Sequence, residues 1–133
     1  MKHSRRILIG GGIYGLAVLV PQYFMEARIG KETPPEITHP EYFYGFIGVA
    51  LAWQVAFLLM AINPVKYRMM FIPAMLEKTG FGVAAIGLQL TREGVPKLIV
   101  LGGVVDLVFV VLFAFAWWEC VRLHRKELNC GRG

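Results

Sequence analysis

The chain predicts an all-α polytopic membrane protein, a single domain built as an antiparallel bundle of four transmembrane helices. Three observations carry that expectation. Of its 133 residues, 56 % are hydrophobic and the mean hydropathy is +0.56, too apolar for an ordinary water-soluble domain. Four apolar runs, at about residues 7–25, 42–63, 69–90 and 98–118, each approach the roughly 20 residues that cross a bilayer core. The basic residues are also divided unequally between the connections, as membrane orientation requires.

The first run follows Lys2, Arg5 and Arg6. The Ser4-Arg5-Arg6 sequence resembles a twin-arginine leader, but the apolar stretch continues to Met25 without a small-residue cleavage site, which predicts an uncleaved first helix. Pro21 and, in the third run, Pro73 are expected to kink or open their helices locally. The first connection, Glu26 to Glu41, carries four glutamates with Pro34, Pro35 and Pro40, and reads as extended, solvated chain. At its end Thr38-His39-Pro40-Glu41 fits a capping box, and Tyr42, Phe43 and Tyr44 would lie at headgroup level.

The second connection, Asn63 to Arg68, is short enough to predict that the second and third spans are antiparallel neighbours. In the third connection, Gly94 and Pro96 end one helix and turn the chain into the fourth span. Trp117 and Trp118 mark the far interface, followed by a polar tail over residues 119–133 with a disordered end. Cys120 and Cys130 fall near or beyond that interface and read as free thiols, not a disulfide framework.

A net charge of +5 would suggest nucleic acid in a soluble protein; here topology explains it and no nucleic-acid partner is expected. Lys2, Arg5, Arg6, Lys66, Arg68, Arg122, Arg125, Lys126 and Arg132 share one side, against Arg28, Lys31, Arg92 and Lys97 on the other. That division places both termini in the cytoplasm, with attraction to anionic headgroups as a by-product.

The candidate functional residues are the polar groups inside the spans. At about 1.5 Å per residue, Glu77 and Lys78 lie roughly 12–14 Å from the cytoplasmic edge, level with Gln54 and its neighbour Trp53, while Asp106 and Tyr14 fall near the same plane. Charges at such depth are expected to face the bundle interior and pair. Lys78 should bridge to Asp106, with Glu77 either joining through Gln54 and Tyr14 or carrying a proton itself. Two acids and one base do not neutralise each other, so a spare proton, a watery pocket or a bound ligand is implied. The competing reading is that these charges merely glue helices three and four.

Small residues at four-residue spacing, Gly11/Gly15, Gly48/Ala52/Ala56 and Gly80/Ala84, are expected to let helices approach within the bundle, with a homodimer face as the alternative. The histidines, His3, His39 and His124, lie outside the spans, which argues against a bundle haem, and no cofactor is expected. His39 with Glu36 and Glu41 makes at most a weak metal set, better explained by capping. Gly10–Gly12 lies in a span and opens no phosphate loop.

The YGF, AWQ, NPxxYR and PAxLEK clusters between Tyr44 and Lys78 resemble the corresponding hairpin of small bacterial four-helix membrane proteins, broadly the DoxX-like group. The resemblance implies a four-helix bundle in a bacterial cytoplasmic membrane and leaves the activity open. The favoured expectation is a non-enzymatic protein whose polar site, lined by Tyr14, Trp53, Gln54, Glu77, Lys78 and Asp106, holds a small hydrophobic or amphipathic ligand. Two alternatives stand beside it: an accessory subunit of a larger membrane complex, and a membrane enzyme or proton path using Glu77 or Asp106.

Overall fold

The computed structural model describes residues 2–33, 36–92 and 95–130. These form α1 (Lys2–Gln22), α2 (Glu26–Glu32), α3 (Pro40–Met60), a 3₁₀ turn at Arg68–Met70, α4 (Phe71–Thr91) and α5 (Lys97–Cys130). Three helical stretches, Pro40–Met60, Arg68–Thr91 and Lys97–Cys130, are long and apolar enough to cross a membrane; α1 reaches that standard only together with α2, from which it is bent by 82°.

Each element follows from local chemistry, with some departures from expectation. Pro21 stands one residue from the end of α1, where the chain breaks and turns into α2. The first connection is therefore not all extended: Glu26–Glu32 is helical, with an Arg28–Glu32 pair of 2.7 Å across one turn. The capping box does not form. His39 is the N-cap of α3 without a side-chain cap bond, and Glu41 lies 3.2 Å from the His39 ring instead. Pro73 produces no mid-helix kink, because α4 begins only two residues before it, where the backbone N–H groups lack intrahelical acceptors anyway. The tail is helical well past Trp118: α5 continues through Cys130 on a run of good helix formers, while Arg132 and the rest of 131–133 lie outside the described residues.

The closest helix pairs are α4 with α5, α1 with α3, and α1 with α5. Gly12 meets Leu58, Gly15 meets Gln54, and Leu19 packs with Ile47 and Ala50, so α1 and α3 run antiparallel. Likewise Gly82 meets Leu107 and the Gly103 backbone, and Gly103 meets Ala85, so α4 and α5 run antiparallel. Despite the short loop between them, α3 and α4 are not a close pair; Phe46 and Phe81 touch at 5.8 Å between ring centroids.

Two of the three expected small-residue stripes therefore do not pack internally. Gly48, Ala52, Gly80 and Ala84 are exposed, and space above both glycines is open. Gly11 and Gly15 do pack, against Phe109 with Phe113 and against Gln54.

The apolar core gathers around Phe113, edge-on to Phe57 at 5.0 Å and to Phe71 at 6.0 Å, with Leu8, Met60, Ala74, Ala116 and Cys120 buried beside it. At the same end the Ser4 hydroxyl donates to the Ala116 carbonyl and to the Glu119 carboxylate, tying the start of α1 to α5. Outside, the molecule is apolar. Leu101, Val104, Val108, Val111, Phe115 and Trp118, spaced by three or four along α5, are 45–69 % exposed. Inside are Ser4, Gln54, Lys78 and Asp106, all buried. This is the reverse of a water-soluble domain.

Candidate functional site: a charged layer beside a lateral groove

Lys78 is the centre of the site. It points from α4 into the α4·α5 contact, its Nζ 3.1 Å from Asp106 Oδ1 and 3.5 Å from Glu77 Oε2, with side-chain exposures of 6, 11 and 17 % for the three groups. The ammonium also lies 5.7 Å from the centroid of the Phe57 ring on α3, a favourable cation–π placement. Small residues make this meeting possible. Gly82 is one turn beyond Lys78 and Gly103 one turn before Asp106; an added Cβ at Gly103 would stand 2.7 Å from the Ala85 Cβ, so the helix axes can approach this closely only without one.

The two acids are held unequally. Asp106 lies nearer the ammonium, whereas Glu77 Oε2, 3.5 Å from it, is buried without a hydrogen-bond partner among the described residues. Taken as ionised, the cluster carries one positive and two negative charges. Glu77 is the acid left short of compensation.

Glu77 is also the member that reaches the surface. A groove of about 290 Å³ opens between α3 and α4, lined by Phe46, Val49, Ala50, Gly80, Phe81 and Ala84, with Glu77 as its one ionisable wall. The groove exists because α3 and α4 splay while each packs on another partner.

The remaining expected site residues stand elsewhere. Gln54 is fully buried on α3, where its Nε2 donates to the Ala50 carbonyl at 2.9 Å and its Oε1 has no hydrogen-bond partner among the described residues. Tyr14 stacks on Phe109 at 5.8 Å, within electrostatic reach of Asp106. Trp53 is half-buried, 6.1 Å from Phe57. Of the six, Glu77, Lys78 and Asp106 come together; among the described residues Tyr14, Trp53 and Gln54 share no hydrogen bond with them. Sequence reasoning missed the groove walls, Phe46, Val49, Phe81, Gly80 and Ala84. The spacing of Gly82 and Gly103 from the two charges was the available signal that α5 claims α4 and leaves its other face open.

Among the described residues no group of three or more His, Cys, Asp or Glu side chains is arranged to hold a metal ion. Comparison with protein families, curated proteins and solved structures finds no match to this chain.

Proposed function

We propose that this chain is a multi-pass protein of the bacterial cytoplasmic membrane, an antiparallel four-helix bundle with both termini cytoplasmic, that holds a small amphipathic ligand in the α3–α4 groove. The observation that carries the ligand reading is the under-compensated Glu77 carboxylate at the edge of an otherwise apolar groove. A hydrophobic body fits such walls, and a hydrogen-bond donor or cation on it would satisfy Glu77. The apolar exterior of α5 and the buried charges support membrane placement. Orientation rests on the basic bias: the start of α1, the Asn63–Arg68 connection and the end of α5 share one end of the molecule, and eight of the nine residues assigned to the cytoplasm are described there. In this reading α2 lies along the opposite interface, where Tyr44 donates to Glu26 at 2.6 Å. The DoxX-like resemblance of the second hairpin points to the same setting.

Native mass spectrometry after mild detergent extraction tests the proposal. A small bound mass should accompany the wild type and be lost in Glu77→Gln. It should also be lost in Gly80→Leu, which fills the groove from an open position without touching a charge. Absence of any small mass from the wild type would defeat it.

A second reading has one observation of its own. Gly48 and Ala52 form an exposed small-residue stripe on α3, as an accessory subunit of a larger complex would need. Constant co-purification of the same partner subunits, without a small mass, would favour it.

A further inference from the structure

At the end of the helices the molecule carries the opposite feature, a basic hollow. A pocket of about 380 Å³ lies between the α3–α4 connection and the polar extension of α5, walled by Asn63, Val65, Lys66, Arg68, His124 and Glu127. At about 30 Å³ per water this is room for about a dozen, enough for a phosphate with its ester substituents.

The walls are organised. Pro64 and Val65 are buried and anchor the connection to the core, and Asn63 Oδ1 accepts the Lys66 backbone N–H at 3.0 Å, holding the turn. Arg68 is braced by one bond, from Nη1 to the Val65 carbonyl at 3.1 Å, which leaves its other guanidinium donors available. Neither Lys66 nor Arg68 has an ion-pair partner among the described residues. The one carboxylate in the wall, Glu127, is 70 % exposed and lies 4.0 Å from His124 Nδ1. Two cations without an ion-pair partner among the described residues, Lys66 lying 5.6 Å from the Tyr67 ring centroid, and a histidine thus line a hollow with a single acid at its rim.

We propose that this pocket binds the phosphate of a phosphodiester, supplied by the headgroup of an anionic lipid. Two observations separate that source from free phosphate. The acid at the rim repels a doubly charged anion more strongly than a singly charged phosphodiester. Ile62 and Met69, adjoining the lining residues in the chain, are 73 and 61 % exposed, which offers acyl chains an apolar surface beside the charges. On the membrane reading on which this inference rests, the pocket follows directly on the end of α3 and so lies at headgroup depth.

The test compares Lys66→Gln/Arg68→Gln with Arg125→Gln/Lys126→Gln, which removes the same charge from exposed α5 positions outside the pocket. Delipidated protein in detergent is titrated with phosphatidylglycerol, or with phosphatidylcholine of the same chains, and bound lipid is read by native mass spectrometry. Phosphatidylglycerol binding should fall about tenfold or more in the pocket variant and stay near wild type in the other. Phosphatidylcholine, whose phosphodiester is neutralised by its own ammonium, should bind the wild type more weakly than phosphatidylglycerol and lose less in the pocket variant, and millimolar inorganic phosphate should not displace the lipid. Equal losses in the two variants would mean a diffuse basic surface, and displacement by inorganic phosphate would mean a free-phosphate site; either overturns the proposal. The ligand of the Glu77 groove is read separately, since neither double variant alters that groove.

Discussion

The α4·α5 and α1·α3 interfaces solve the same problem in different ways. Both bring a polar side chain into a contact between apolar helices, and both use glycine to let it in. In α4·α5, Gly82 and Gly103 draw the axes together until Lys78 meets Asp106, so these two charges compensate one another while Glu77 is left at the edge. In α1·α3, Gly15 makes room for Gln54, but among the described residues Gln54 bonds to its own helix and keeps one oxygen unpartnered. The first interface is locked electrostatically and the second by shape. On the proposed membrane reading, where apolar contact alone gives helices little reason to prefer each other over acyl chains, that difference would decide which pair resists separation.

The sharpest way to break the comparison is Lys78→Met. It strands Glu77 and Asp106 together, and a loss of about 3–5 kcal/mol is expected in detergent unfolding, the usual scale for removing one partner of a buried pair. Adding Asp106→Asn should recover a large part of that loss. A Lys78→Met loss below about 1 kcal/mol would show that the charges do not hold α4 to α5.

Intermediate effects separate the glycines. Gly103→Ala drives a new Cβ against the Cβ of Ala85, which cannot rotate away, and should cost about 1–3 kcal/mol. The new Cβ of Gly15→Ala would stand within 2.7 Å of Oε1, Cδ and Cγ of the fully buried, hydrogen-bonded Gln54 and should cost at least as much, while Gly48→Ala, with open space above it, should be neutral or gain up to about 1 kcal/mol from helix propensity. Thermal unfolding of the three variants side by side checks the order; equal losses at all three sites would refute the packing argument.

The smallest effect is expected at Gln54→Met. It keeps the unbranched shape and deletes the orphan oxygen together with the Nε2 bond to the Ala50 carbonyl, two effects that oppose each other, so stability should change by less than about 1 kcal/mol in thermal unfolding. A loss above about 2 kcal/mol would instead show that Oε1 holds a partner such as a buried water.

Much of the architecture was legible in the chain because spanning length and apolarity are properties of consecutive residues. The helical spans from 42–63, 69–90 and 98–118 correspond to α3, α4 and the apolar part of α5, and Lys78 was expected to meet Asp106, as it does. Less legible was where helices end: Glu26–Glu32 is helical within a segment read as extended, and α5 runs twelve residues past Trp118, because local helix propensity outlasts the apolar pattern. Also illegible was which faces meet. A short loop suggested α3 beside α4, yet Gly82 of α4 fits α5, and Gly12 and Gly15 of α1 fit α3.

The sequence by itself thus determined the helical class, the apolar exterior and the presence of one cation with two acids in the middle of the molecule, since each depends on composition along a single helix. Only the tertiary structure decided that Glu77 is left at the edge of a groove between α3 and α4, and that Lys66 and Arg68 face His124 across a hollow. The physical reason is that pairing in the helix interior is set by how closely two backbones approach, and that distance depends on which small residues of one helix oppose those of another.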